Sequence, residues 1–116
     1  MTAQETPIHI SIVEYLRAVI PGALIWHTPN GGKRPKREAA ELKRMGVMPG
    51  VFDISIVLGP RIYFLEVKTP KGRMSDTQEA FGVALDAHGI SWGIVRSVED
   101  ARRALSLWGI STREAA

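Results

Sequence analysis

The chain has 116 residues and a mass of 12.8 kDa, enough for one domain with a single core and no more. Fifteen Lys and Arg stand against twelve Asp and Glu, a net charge of +3, and 45% of residues are hydrophobic, as in ordinary soluble domains. No cysteine is present, which excludes disulfides, iron–sulfur clusters, thiolate zinc sites and a cysteine nucleophile; His9, His27 and His88 are scattered without ligand spacing.

The first residues lack the basic region and apolar core of a secretory signal, so an intracellular protein is expected. No membrane span is expected either. The longest stretch without Lys, Arg, Asp or Glu, Ala18 to Gly32, is broken by prolines and glycines.

Apolar Ile8, Ile12, Leu16 and Val19 recur at helical spacing, with Thr6 as N-cap, Pro7 at the first helical position and Pro21-Gly22 as the stop. Ala23 to Thr28 reads as a short strand ending in the turn-forming run Pro29-Asn30-Gly31-Gly32. A second helix is expected from Pro35 to Met45, with Gly46 beyond its end. Between Lys33 and Arg44 lie six basic residues and only Glu38 and Glu41. That is either a solvated helix face or an electrostatic footprint for a polyanion.

Asp53 to Leu58, Gly59-Pro60 and Arg61 to Lys68 read as two strands on a tight turn. Ser75 and Gln78 have the spacing of a capping box opening a helix that Gly89 closes, with Phe81 and Leu85 on its inner face. Ile90 to Arg96 is a fourth strand. Ser97 caps a last helix running to Trp108, after which the tail is expected to fray. Trp26, Trp92 and Trp108 each sit in an apolar element and read as core or interface residues. The order implies one α/β domain over residues 1–116, a mixed four-stranded sheet covered by helices, with residues 1–5 and 110–116 as flexible ends.

A hairpin centred on Gly59-Pro60 opposes Leu58 to Arg61, Ile56 to Tyr63, Ile54 to Leu65 and Asp53 to Glu66. Opposed side chains have Cβ atoms about 4.5–5.5 Å apart, where like charges destabilise a sheet unless a cation lies between them. Lys68 shares a face with Glu66, so two carboxylates and an ammonium converge at one sheet end. Such carboxylates suit a hard divalent cation completed by water and phosphate. A cation there activates water and stabilises a leaving oxygen, while Lys68 either stabilises transition-state charge or orients the water. The competing reading of Glu66-x-Lys68 alone is a surface hairpin, with Asp53 as a strand-end turn residue and Glu66 paired to Lys68 or Lys71.

His27-x-Pro29-Asn30-Gly31-Gly32-Lys33-Arg34, Gly46-Val-x-Pro49-Gly50-Val-x-Asp53, Phe64-Leu-Glu66-Val-Lys68 and Gly72-Arg73-x-Ser75-x-x-Gln78 follow one another in order. This series resembles the virus-type replication-repair nuclease (VRR-NUC) domain of the PD-(D/E)XK nuclease superfamily. The resemblance implies a restriction-endonuclease-like fold and a Mg2+- or Mn2+-dependent endonuclease acting on branched DNA, a Holliday-junction resolving homodimer in a bacterial or phage setting. It further implies metal ligation by Asp53, Glu66 and the Val67 backbone carbonyl, with Glu14 as an additional acid, and catalytic roles for Lys68 and Gln78. DNA contacts are expected from His27, Asn30, Gly31, Gly32, Lys33, Arg34, Lys36, Arg37 and Arg73. A P-loop pattern is missing, so no nucleotide cofactor is expected. A flap- or end-directed nuclease, or a DNA-binding module that does not cut, remains open. Phe52 stands where the family pattern usually has proline, from which altered geometry but intact chemistry is expected.

Overall fold

A computed structural model describes residues 1–29 and 35–114 of the chain. The elements are α1 (Glu5–Val19), β1 (Leu24–His27), α2 (Lys36–Arg44), β2 (Ile54–Leu58), β3 (Arg61–Val67), α3 (Asp76–Ala87), β4 (Trp92–Val95) and α4 (Val98–Leu107). They form a four-stranded mixed sheet in the order β1-β2-β3-β4, antiparallel except for the parallel pair β3–β4, which α3 connects. None of the helices in the described residues is long and apolar enough to cross a membrane.

Strand alternation sorts the side chains into two layers. Ile54 and Ile56 on β2 oppose Leu65 and Tyr63 on β3, and all four join Val67, Ile25 and Val95 in the main core. Ile12, Leu16 and Val19 of α1 and Ala101 and Leu105 of α4 close that core from one side. The other face carries Phe64, which meets Phe81 of α3 edge-on; Phe81 also meets Phe52 edge-on, and Phe52 packs against Trp92. Trp108 stacks on Tyr63 and is partly buried against the core, Trp92 is partly buried as well, and Trp26 is 40% exposed.

One local feature differs from expectation. Helix α1 begins two residues earlier, at Glu5: Glu5 N–H donates to Thr2 Oγ1 (3.1 Å) and Thr2 N–H donates to Glu5 Oε1 (2.9 Å), a reciprocal pair of bonds ahead of the helix. Pro7 falls in the first turn of this helix, where its fixed φ suits the helical backbone. At the other end, Arg113 N–H donates to the Val19 carbonyl (2.6 Å), and Glu114 accepts from Tyr15 Oη (2.5 Å) and Arg102 Nε (3.1 Å).

The sequence reading of the α3 cap agrees with the structure. Ser75 Oγ accepts from Gln78 N–H (3.2 Å), and Gln78 Oε1 accepts from Ser75 N–H (2.9 Å). Gly50, in the loop before β2, lies against this first turn of α3. It has φ +82°, and a Cβ there would overlap the Thr77 carbonyl and stand 2.8 Å from Gln78 N. Only glycine permits so close an approach.

Candidate metal centre

The β2–β3 register is Leu58↔Arg61, Ile56↔Tyr63 and Ile54↔Leu65, so Asp53 and Glu66 stand opposite each other one step past the last paired residues. Each acid is held by the other strand's backbone. Asp53 N–H donates to Glu66 Oε1 (3.1 Å), and Val67 N–H donates to Asp53 Oδ2 (2.9 Å). On the β1 side, the Asp53 carbonyl accepts from Thr28 N–H (2.9 Å) and lies 2.7 Å from His27 Nδ1. Backbone groups at the end of three strands thus orient the acids, which limits their freedom to turn away from each other.

The second Glu66 oxygen is equally occupied. Gln78 Nε2 donates to Oε2 (2.8 Å), and Lys68 Nζ lies 3.4 Å from the same atom. Gln78 therefore spends one end of its amide on the α3 cap and the other on Glu66. Glu66 is 2% exposed, and Asp53 and Lys68 are buried too. A surface hairpin is excluded by that burial, although Glu66 does pair with Lys68, as that reading also supposed.

Burial pushes the Glu66 carboxyl up to about 7, the Asp53 charge adds to this, and Lys68 opposes it. Two acids crowded in a desolvated corner repel, and a divalent cation would offset the repulsion; the donor set therefore fits such an ion.

A cleft of about 170 Å³ opens onto the acids, lined by Asp53, Glu66, Lys68, Gln78, His27, Pro29, Glu5 and Met1. Small-molecule sites run from about 300 Å³ upward, so this cleft admits the edge of a phosphodiester with a few waters and not a whole nucleotide. A larger hollow of about 380 Å³ lies between Asp86, Gly89 and the two indoles Trp92 and Trp108. There Asp86 already accepts from Trp92 Nε1 (2.8 Å), and no charged groups converge.

Two solved structures share this architecture. One, described as a VRR_NUC domain protein, matches with a TM-score of 0.70 at 18% identity over 96% of this chain and 98% of its own. Another, described as a VRR_NUC domain, matches with a TM-score of 0.63 at 17% identity over 90% of this chain and 97% of its own. The chain has the VRR_NUC fold. No protein-family profile and no curated protein matches the sequence, so at this divergence the likeness is carried by structure.

Within the VRR_NUC fold, Asp53, Glu66, Val67, Lys68, Gln78 and His27 come together at one sheet end. Glu14 does not join them. It is exposed and lines not the acid cleft but an adjoining groove with His9, Ile10, Val13, Arg17, Trp26 and His27, the last of which lines the cleft as well. Nine residues from Glu5 on α1, Glu14 is half a turn round the helix and about 13 Å along it, so the acid α1 brings to the cleft is Glu5. Lys36, Arg37 and Arg73 are exposed, the first two in the opening turn of α2 and the third ahead of α3. Asn30, Gly31, Gly32, Lys33 and Arg34 lie outside the described residues. Phe52, in place of the expected proline, is wholly buried between Phe81 and Trp92, so an aromatic anchor seats the strand entry.

Two residues near the site carry no motif in the sequence. Arg96 Nη1 donates to the carbonyls of Thr69 (2.5 Å) and Gly72 (2.8 Å), clipping the loop that joins Lys68 to α3. His9 of α1 meets His27 edge-on with ring centroids 4.3 Å apart. Helical spacing alone could have flagged His9, which shares a stripe with Ile12 and Leu16, but its partner lies on another element.

Proposed function

We propose that this protein is a divalent-metal-dependent endonuclease that hydrolyses phosphodiester bonds in branched DNA and resolves four-way junctions as a homodimer. The observation that carries the reading is the pair Asp53 and Glu66, buried and pinned to opposite strands beside Lys68. The VRR_NUC fold of the neighbours supports it.

Asp53, Glu66 and the Val67 carbonyl would hold magnesium or manganese, which when bound polarises a phosphoryl oxygen and lowers the pKa of a water. Val67 N–H and Asp53 N–H fix the two carboxylates, so no reorganisation is needed as DNA arrives. Lys68 contributes a buried positive charge that stabilises the charge building on the phosphate. Gln78 holds Glu66 Oε2 toward this corner. His27, Arg73, Lys36 and Arg37, together with Asn30, Gly31, Gly32, Lys33 and Arg34, position the DNA backbone, a task for cations and glycine-rich turns. Each chain provides one centre and symmetric cutting of a four-way junction needs two, which calls for a second copy.

The test is cleavage of a four-way junction, a flap and a linear duplex with Mg2+ or Mn2+, by the parent, Asp53→Ala and Glu66→Ala. Junction cutting that falls about a thousandfold or more in both variants supports the reading. Undiminished cutting by both would show that the centre lies elsewhere, whereas salt-sensitive binding without cutting would identify a DNA-holding module.

A further inference from the structure

His9 is 7% exposed, and its Nδ1 is the one buried side-chain polar atom among the described residues without a hydrogen-bond partner. Leaving such an atom unpaired forfeits the hydrogen bonds it makes with water in the unfolded chain, so a ligand for it has a ready advantage. The neighbouring ring supplies a second nitrogen. His27 Nδ1 stands 2.7 Å from the Asp53 carbonyl, and since a carbonyl only accepts, Nδ1 carries the proton and a neutral ring has its lone pair on Nε2. A backbone carbonyl on one ring nitrogen is how metal-binding histidines are commonly fixed.

Asp53 supplies the third group. Its Oδ2 takes the Val67 N–H, leaving Oδ1 without a protein donor among the described residues. One ring nitrogen each from His9 and His27 and one carboxylate oxygen from Asp53 lie within 4.8 Å of one another.

We propose that His9, His27 and Asp53 form a nitrogen-rich transition-metal site that takes cobalt, nickel, zinc or manganese in preference to magnesium. Hard magnesium seeks oxygen and ideal octahedral geometry; two imidazoles and one carboxylate match the borderline ions instead. Ligand atoms around such an ion sit about 3.3 Å apart, so these three side chains draw in by roughly 1.5 Å at most. Three protein ligands leave further positions open to water or a phosphate oxygen. The site adjoins the centre of the proposed nuclease and rests on that reading only in sharing Asp53 with the Asp53–Glu66 pair.

The test uses untagged full-length protein stripped with a chelator. Co2+ alone is followed by its visible absorption, and Mn2+ and Mg2+ by calorimetry. One Co2+ per chain is expected, at least about tenfold tighter than Mg2+, with an absorption spectrum indicating nitrogen ligands. His27→Gln, at an exposed position, is expected to weaken Co2+ about tenfold or more and change the spectrum, whereas His88→Gln changes neither. His9→Gln should match His27→Gln; if it fails to fold, His27→Gln decides alone. Co2+ held no tighter than Mg2+, or binding indifferent to His27→Gln, overturns the proposal. Glu66→Gln separates this failure from that of the nuclease: it is expected to abolish cutting while the histidine-dependent Co2+ spectrum persists. Histidine-dependent Co2+ binding in a parent that cuts no DNA would keep the metal site and discard the nuclease.

Discussion

The β2–β3 hairpin and helix α2 are made of opposite material. Ile54, Ile56, Leu65 and Glu66 on the hairpin are at most 2% exposed, whereas α2 has no buried residue at all. The hairpin ends in two acids whose positions are set by backbone hydrogen bonds; α2 ends in Lys43 and Arg44, followed by Met45, Val47 and Met48, all more than half exposed. One region contributes to the fold and holds the candidate chemistry. The other adds little to the core and presents positive charge and apolar tips at the surface. The lesson is that stability and the proposed recognition of DNA are carried by separate segments, so they should respond to different mutations.

The strongest way to break that division is in the hairpin core. Ile56→Ala is expected to cost about 2–5 kcal/mol in chemical denaturation, since a fully buried side chain leaves a cavity.

The next largest effect should come from Glu66. Its folded-state pKa, about 7, lies above the ordinary 4.5, so the folded protein binds a proton that the unfolded chain releases. Stability from this group is therefore full below about 4.5 and is lost as pH rises through 7, a swing of the order of 3 kcal/mol. The metal-free protein should melt at a lower temperature at pH 8 than at pH 5, and Mn2+ should recover part of the loss at pH 8. A melting temperature that rises with pH in the metal-free protein would contradict the crowding of the two acids.

Gln78 sharpens the comparison, because it joins cap to site. Gln78→Ala should cost about 1–2 kcal/mol by removing a capping partner and a donor to a buried carboxylate. Gln78→Glu retains an acceptor for Ser75 N–H yet cannot donate to Glu66, so its junction cutting should fall while its helix cap survives, readable by amide exchange at Ser75.

The smallest stability effect belongs to α2. Lys43→Gln with Arg44→Gln should shift stability by no more than about 0.5 kcal/mol. Binding to a four-way junction should nevertheless weaken, with a salt dependence shallower by about one unit per lost phosphate contact. Unchanged binding would remove α2 from the DNA-facing surface.

Much of this was legible in the residues because it is local. The Gly59-Pro60 turn determines which residues oppose each other, and the observed pairs Ile54↔Leu65 and Leu58↔Arg61 match that register. The Ser75–Gln78 cap spans four residues and also matches. What escaped depends on how distant elements dock. His9 and His27 have no ligand spacing along the chain and meet only because α1 packs beside β1. For the same reason Glu14 was the acid expected from α1 while Glu5 lines the cleft, since a stripe of apolar residues does not say which polar neighbour faces the sheet end. The earlier start of α1 was hidden by Pro7, whose preference for a first helical position drew the cap to Thr6.

The contact between Gly50 and the first turn of α3 makes this loop a spacer for the whole corner. Adding one methyl group there would wedge the helix outward and carry the Gln78 amide off Glu66, although the atoms it would meet belong to Thr77 and Gln78 and to neither acid. An inactive variant at this position would report misalignment, not a missing reactive group, and because the obstruction is main chain on both sides, no side-chain trim on the helix would relieve it.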